Sequence, residues 1–253
     1  MTERRPSFSQ AISVQADPWT ELRRFTDARI ALGRCGAGLP TAAHLAFQAA
    51  HAAARDAVHR PLDVDGLLAA LAALGLSGIP VASAAPDRPT YLQRPDLGRR
   101  LSDISQQLLS EPLTVGNVAL VVADGLSSAA VENNAPPTVA ALVPLLCQAG
   151  RRIAPIIVAT QARVALGDHI GELLQADVAV VLIGERPGLS AVDSLGLYIT
   201  WMPRLGRVDA ERNCISNVRT GGLAPEEAAR QAAALVETMM CYRAAGVALS
   251  GIS

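Results

Sequence analysis

Residues 118–124 read Val-Ala-Leu-Val-Val-Ala-Asp, an uninterrupted apolar run that ends in a carboxylate. Gly116 and Gly125 bound this run on either side. Such a pattern is typical of a strand that is buried on both faces, as in a parallel sheet covered by helices. The run therefore predicts a central strand of an α/β domain.

Outward from this run, strand and helix patterns alternate along the chain. Further strands are predicted at residues 153–160, 178–183 and 197–202. Helices are predicted at residues 137–149, 168–174 and 225–245. Strands that alternate with helices indicate an α/β fold, here an open, mostly parallel, Rossmann-like sheet with flanking helices.

The first third of the chain has helical patterns instead. Helices are predicted from about Pro18 with Thr20 as a cap, and at residues 41–59 and 64–74. The Pro/Ser/Ala-rich residues 79–89 predict a linker or exposed loop. The expected organisation is a flexible tail over 1–17, a helical N-terminal region over 18–88 and an α/β domain over 89–253.

Composition excludes several classes of protein. A formal net charge of −1 and 3% aromatic residues argue against nucleic acid or an anionic membrane as the main partner. The sequence contains no lysine, which excludes Schiff-base and P-loop lysine chemistry. The four cysteines are far apart and form no CxxC pair, so neither a zinc site nor a disulfide framework is expected.

No targeting or membrane segment is expected. The N-terminus leads into polar residues rather than the apolar core of a secretory signal. The uncharged stretch 66–86 is interrupted by glycine, proline and serine, and its apolar part is shorter than the ~20 residues that a membrane span needs. These features predict a soluble intracellular chain.

Polar side chains follow three of the predicted strands. The three segments are 124–128, 160–163 and 184–188. In open α/β sheets, ligands bind outside the carboxyl ends of the strands. We therefore expect a ligand site where these three segments meet.

Each of these segments has a functional and a structural interpretation. Asp124 is suited to bind a ribose hydroxyl, a cation or an amine, and equally to satisfy turn amides next to a helix cap. Glu185 is suited to accept hydrogen bonds from the amides of a bulky ligand, and Arg186 to pair with a carboxylate or phosphate. The alternative for these two is an exposed ion pair on a surface turn.

The remaining candidate residues give weaker signals. Cys214 is either a thiol nucleophile, for which His169 is the one histidine in the α/β part, or a small apolar group beside a ligand. Three histidines between residues 44 and 59 fall near one helical face and are interpreted as surface residues rather than metal ligands. Residues 33–38 have the glycines of a dinucleotide fingerprint in the wrong order.

Several segments together carry a family resemblance, which extends from about Pro18 to Leu249. Taken in order, the sequence resembles the small subunit of ethanolamine ammonia-lyase. The segments that carry the resemblance are Arg29-Ile-Ala-Leu-Gly-Arg34, Leu39-Pro-Thr41, Arg55-Asp-Ala-Val-His59, Arg94-Pro-Asp-Leu-Gly-Arg-Arg100, Val122-Ala-Asp-Gly-Leu-Ser127, Ile183-Gly-Glu-Arg-Pro-Gly188 and Arg212-Asn-Cys-Ile-Ser-Asn217.

The resemblance implies an obligatory subunit of a carbon–nitrogen lyase. The family's holoenzyme uses adenosylcobalamin to convert ethanolamine to acetaldehyde and ammonia by a radical mechanism. A large TIM-barrel subunit holds the substrate, and the assembly is a hexamer of large–small heterodimers, a heterododecamer. The resemblance assigns no catalytic residue and no metal ligand to this chain, and it places cobalamin contacts at Val164, Glu185 and Cys214.

The resemblance also bears on location. It implies a cytoplasmic protein, with packaging in a bacterial microcompartment left open because encapsulated members carry a longer amphipathic N-terminal extension. Two other readings remain: a free-standing Rossmann-like nucleotide-binding enzyme, and a non-catalytic scaffold subunit. A scaffold differs from the lyase subunit in contributing no groups to the cofactor pocket.

Overall fold

The computed structural model describes residues 14–111 and 116–251. Two compact units divide the chain, Met1–Ala54 and Arg55–Ser253. The first unit contains the 3-10 helix Thr20–Phe25. Most of the expected tail lies outside the described residues.

The second unit contains a six-stranded sheet. Its strands are β1 (Gly78–Ala82), β2 (Val118–Ala123), β3 (Ile156–Thr160), β4 (Val178–Gly184), β5 (Leu195–Trp201) and β6 (Arg212–Val218). The α-helices of the chain are α1 (Thr41–His59), α2 (Val64–Ala73), α3 (Arg88–Gln93), α4 (Asp103–Ser110), α5 (Ser128–Gln148), α6 (Leu166–Leu173), α7 (Pro225–Tyr242) and α8 (Val247–Ser250). Two further 3-10 helices are Leu97–Arg99 and Asp209–Glu211.

The strand order is β1-β3-β2-β4-β5-β6. The first four strands in this order are mutually parallel, so they end at the same edge of the sheet. Strand β5 is antiparallel to β4, and β6 is antiparallel to β5. Gly184 at the end of β4 therefore pairs with Leu195 at the start of β5, and Leu195 pairs with Val218 at the end of β6.

The sheet is buried on both faces. Alternate residues of β2 enter two different apolar clusters: Leu120 packs with α2, α5 and α7, and Val121 packs with α4 and α6. All six residues of β2 are buried. Side chains on a strand alternate between faces, so this continuous apolar run supplies both layers of the core at once.

The expected fold class is confirmed: an α/β fold with an open, mostly parallel sheet, flanking helices and helices at the N-terminal side. The strands expected around 118–124 and 178–183 form in place. The expected helices 41–59 and 64–74 also form, as α1 and α2.

The expectation of a linker over residues 79–89 is wrong. Residues 78–82 form β1, which pairs in parallel with β3 and is the edge strand of the sheet. Pro80 lies in the middle of β1 and is exposed. Proline is tolerated in an edge strand because its missing N–H lies on the unpaired side, so a proline-containing run does not exclude a strand there.

Two expected helices have different bounds. The helix near Pro18 is the short 3-10 helix, in which Thr20 is the first residue rather than the cap. Helix α5 begins at Ser128 rather than near residue 137, and Pro136 and Pro137 lie inside it. Ser127 fixes the true start, because its side chain caps the helix by accepting from the Ala130 N–H at 3.2 Å.

Strand β6 was not predicted. Its outward side chains are polar, and the segment has the appearance of a polar cluster in the sequence. Edge strands have fewer buried positions, so their hydrophobic alternation is weak. The C-terminal helix forms as α7, slightly shorter than expected.

Candidate functional site

The loops that leave β2 and β4 touch backbone to backbone. The Leu126 N–H donates to the carbonyl oxygen of Gly184 at 2.9 Å. A Cβ added at Gly184 would lie 2.1 Å from the Ser127 carbonyl oxygen, and one at Gly125 would lie 2.2 Å from the Gly184 carbonyl oxygen. The glycines at these two positions are needed for this close approach.

Asp124 ties the β2 loop to the β3 loop. Its buried carboxylate accepts from the N–H groups of Gln161 and Ala162, each at 2.9 Å, and pairs with Arg88 at 3.0 Å. Burial raises the pKa of Asp124, and these amides together with Arg88 oppose that rise. Of the two interpretations of Asp124, the structure shows the one in which it satisfies turn amides.

Tyr91 in α3 contacts the loops after β2 and β3 through its hydroxyl group. Its hydroxyl lies 2.9 Å from the carbonyl oxygens of both Gly125 and Ala162. The guanidinium carbons of Arg88 and Arg163 lie 4.8 and 4.4 Å from the centre of its ring. Burial raises the pKa of Tyr91, so the phenol stays protonated and donates.

Glu185 directly follows β4, at the edge of the sheet where the parallel strands end. Its Oε2 accepts from the Ser194 hydroxyl at 2.5 Å and from the Asn217 N–H at 3.3 Å. A Cβ at Gly196 would lie 2.9 Å from Oε1, so glycine leaves room for the carboxylate there. Within residues 14–111 and 116–251, Oε1 has no hydrogen-bond partner. The structure thus holds one oxygen of Glu185 and leaves the other available.

Cys214 lies opposite Tyr198 in the β5–β6 pair. The Tyr198 side chain lies close enough to Cys214 to lower the pKa of its thiol. Although Cys214 is exposed at the surface of this chain, partial burial of the thiol and the nearby Glu185 carboxylate outweigh Tyr198 and raise the thiol's pKa. A protonated thiol beside a tyrosine is a weak nucleophile, so its surroundings favour a packing role.

Val164 follows the β3 loop and is half-buried. It packs against the same apolar cluster as Tyr198, which places it on the Cys214 side of the sheet. It also lines a cavity of about 350 Å³, to which Arg212, two residues before Cys214, contributes as well. The structure therefore brings Glu185 and Cys214 together around Tyr198, with Val164 on the same face.

A family model described as ethanolamine ammonia-lyase light chain (EutC) matches residues 16–250. The chain belongs to this family. Among proteins named ethanolamine ammonia-lyase small subunit, that of Azotobacter vinelandii is 54% identical over 237 residues, 92% of this chain and 88% of the relative. That of Xanthomonas campestris pv. campestris (strain B100) is 50% identical over 237 residues, 92% and 87% of the two chains. That of Ralstonia nicotianae is 51% identical over 241 residues, 94% and 89% of the two chains.

Membership of the ethanolamine ammonia-lyase light chain family confirms the resemblance found in the sequence. The other residues considered there are placed as follows. Arg186 is exposed and has no ion pair with any described residue. His169 is buried away from Cys214: its Nδ1 faces the Leu101 N–H at 3.4 Å, and burial lowers its pKa.

Neither a metal cluster nor a membrane helix is found in the part of this light chain that the structure describes. No three histidine, cysteine, aspartate or glutamate side chains there are grouped to hold a metal ion. None of the described helices is long and apolar enough to cross a membrane. His44 in α1 lies 3.0 Å from the Gln48 amide nitrogen.

Sequence reasoning missed the residues that hold this light-chain site together. Tyr91, Ser194 and Tyr198 carry no motif, and their partners are distant in sequence. Only the strand order could have revealed Ser194 and Tyr198, because β5 runs antiparallel to β4 and starts beside Glu185.

Proposed function

We propose that this chain is the small subunit of an adenosylcobalamin-dependent ethanolamine ammonia-lyase and contributes Val164, Glu185 and Cys214 to a cobalamin site at the interface with a large subunit. The observation that carries the proposal is the Glu185 carboxylate, in which Oε2 accepts two hydrogen bonds and Oε1 is available to a ligand. Family membership supplies the activity, and the geometry supports a contact role for these three residues.

The residues present fit a corrin. The periphery of a corrin ring carries amide side chains, which donate hydrogen bonds through their N–H groups. The free Oε1 of Glu185 is a charged acceptor at the edge of the sheet, and the Ser194 hydroxyl fixes its direction through Oε2. Gly196 keeps the space beside Oε1 clear.

Val164 and Cys214 have a complementary role in the proposal. A valine side chain and a protonated thiol offer apolar contact without adding charge beside the ring. When bound, adenosylcobalamin supplies a carbon-centred radical through homolysis of its cobalt–carbon bond. This chain's part is to bind the corrin edge and to exclude water, while the large subunit holds ethanolamine.

The remaining elements of the proposal follow from the family. We assign the catalytic groups to the large subunit and none to this chain. We assign cobalamin contact to residues 89–253, which contain all three contact residues. The proposed assembly is a hexamer of heterodimers in the cytoplasm, with microcompartment packaging as the alternative location.

Reconstitution tests the proposal. Ammonia release from ethanolamine is measured with this chain alone, with its large subunit alone and with both, each with and without adenosylcobalamin. We expect activity only in the complete mixture. Full activity from the large subunit alone would make this chain a scaffold. Absence of activity in every mixture, together with NAD(P)H binding in titration, would favour the free-standing Rossmann-like enzyme.

A further inference from the structure

The cavity of about 350 Å³ beside Val164 is rich in arginine. Four arginines line it, from the 3-10 helix Leu97–Arg99, the β3 loop, the segment before Asp209 and the start of β6. These four residues, here called the arginine cluster, are Arg99, Arg163, Arg207 and Arg212. Asp209 is the acidic residue in the lining, and its side chain is fully exposed.

Half of the arginine cluster is neutralised by the protein itself. Arg212 pairs with Asp168 at 2.6 Å, and both side chains are only 3% exposed. Arg207 pairs with Glu211. Arg99 and Arg163 have no carboxylate partner among the described residues. Two guanidinium groups at the cavity therefore lack a counter-charge, which favours an anionic ligand.

Unsatisfied donors point to the same conclusion. The Nε atoms of Arg163 and Arg212 are buried and have no hydrogen-bond partner in the described ranges. The other donors of Arg212 are engaged by Asp168 and by the carbonyl oxygens of Arg207 and Val208. Buried donors without partners are rare in folded proteins, so Arg163 and Arg212 are held beside the cavity with hydrogen-bonding capacity unused.

The chemistry of the cluster selects the class of anion. The guanidinium group presents a planar fork of donors that matches the oxygens of a phosphate group. A larger cavity of about 700 Å³ lies beside it, since Arg99, Ala165 and Arg207 line both. A phosphate ester bound by the arginine cluster therefore has room for the organic groups attached to it.

We infer that the arginine cluster binds the phosphodiester in the nucleotide tail of the cobalamin, with Arg99 and Arg163 as its direct partners. The inference rests on the proposed function, which places the corrin against Val164, the residue next to Arg163. Arg207 and Arg212 are paired with Glu211 and Asp168, so we assign them no direct contact with the phosphodiester.

The test compares two ligands that share the adenosyl-corrin but differ in the tail. Adenosylcobinamide lacks the phosphodiester and the nucleotide base that adenosylcobalamin carries. Dissociation constants for both are measured by equilibrium dialysis in the dark on the complex of this chain with its large subunit. Arg99→Gln is the principal variant, because Arg99 is exposed and its side chain has no hydrogen-bond or ion-pair partner among the described residues.

The expected result is a selective effect. Arg99→Gln raises the Kd for adenosylcobalamin about tenfold, as the loss of one charge-assisted hydrogen bond predicts. The Kd for adenosylcobinamide stays unchanged. Arg204→Gln is the matched control, because Arg204 is exposed on a neighbouring loop and lies outside the lining of both cavities. It leaves both constants unchanged.

Two results would overturn the inference while leaving the proposed function intact. One is an equal rise in both dissociation constants in Arg99→Gln. The other is no rise in either constant in Arg99→Gln and in Arg163→Gln. If the wild-type complex binds neither corrinoid, the proposed function itself fails, and the inference fails with it.

Inorganic phosphate gives a measurement that needs no variant. At constant ionic strength, phosphate raises the apparent Kd for adenosylcobalamin and leaves that for adenosylcobinamide unchanged. Competition against both ligands, or against neither, contradicts the inference. Arg99-dependent broadening of the ³¹P signal of phosphate, without discrimination between the two corrinoids, would show that the site takes free phosphate instead of the cofactor's phosphodiester.

Discussion

At the residue scale, the two carboxylate oxygens of Glu185 differ in their hydrogen bonding. Oε2 is held by Ser194 and Asn217, and Oε1 is available. Gln161 shows a different kind of constraint, since it has a left-handed backbone with φ 56° directly after β3. A non-glycine residue in this conformation is strained, and such strain persists where the surroundings fix the loop, here through Asp124.

Replacing Glu185 tests its role directly. Glu185→Ala removes the free acceptor, and we expect the Kd for adenosylcobalamin to rise about tenfold, the effect of one lost charged hydrogen bond. Assembly with the large subunit should remain intact. Equilibrium dialysis and co-purification measure the two quantities. Glu226→Ala, an exposed glutamate in the first turn of α7, is the control. Unchanged affinity in Glu185→Ala would remove Glu185 from the site.

Asp168 gives a pH-dependent prediction. Burial raises its pKa from 3.8 to about 6, against the opposing effect of Arg212. A raised pKa in the folded state means that the folded chain binds the proton more tightly than the unfolded chain. The contribution of Asp168 to stability is therefore greatest below about pH 4 and is lost as pH rises through 6.

The measurement compares wild type with Asp168→Asn. The free energy of unfolding of wild type minus that of Asp168→Asn should fall by about 3 kcal/mol between pH 3 and pH 7. Urea denaturation at a series of pH values gives this difference. A difference that grows with pH would contradict the raised pKa and indicate that Arg212 dominates burial.

At the element scale, the sequence predicted the parts of the fold that are buried on both sides. Strands β2 and β4 are continuous apolar runs, and they form where expected. The edge strands β1 and β6 were not predicted because neither is a continuous buried apolar run. Strand β1 has one buried residue, and β6 exposes several polar side chains. The three exit loops were predicted as the site, since strand ends in a parallel sheet share one edge.

At the site, too, the sequence predicted what local patterns encode and missed what depends on pairing between distant segments. Glu185 was singled out because it stands between glycines after a buried strand. Tyr198 was not, because its importance depends on an antiparallel pairing that no local pattern encodes. Asp124 had two interpretations in the sequence, and only the positions of the Gln161 and Ala162 amides separate them.

The contact between the β2 and β4 loops gives an element-scale prediction. Gly184→Ala would place its Cβ 2.1 Å from the Ser127 carbonyl oxygen, so the two loops must move apart. We expect a loss of about 2 kcal/mol in the free energy of unfolding, measured by urea denaturation. In the same loop, Gly188→Ala is the control, because its Cβ would lie 3.4 Å from the nearest atom, the Ala191 carbonyl oxygen. Equal stability of both variants would contradict the close approach.

At the scale of the whole molecule, α1 stands out because none of its residues is buried. Leu45, which shares one face of α1 with Ala49 and Ala53 at i, i+4 spacing, is 57% exposed. A helix that exposes apolar residues is typical of a surface that another protein covers. The proposed function provides that protein, since the large subunit is its partner.

Substitution in α1 tests this assignment. Ala53→Arg places a long charged side chain on an alanine-rich face, and we expect at least tenfold weaker association with the large subunit, measured by co-purification and by titration. His51→Arg introduces the same charge on the opposite side of the helix and serves as the control. Normal association of Ala53→Arg, with an unchanged circular dichroism spectrum, would exclude this face from the interface.

Pro80 in the edge strand β1 affects how the sheet can pair with a second copy of the chain. An incoming strand from another copy would meet a backbone position with no N–H to offer, so edge-to-edge polymerisation is interrupted at the middle of β1. The end of β1 is covered by residues 100–102, so Pro80 lies in the part of this edge that another copy could reach, and it makes that part a poor template for strand pairing.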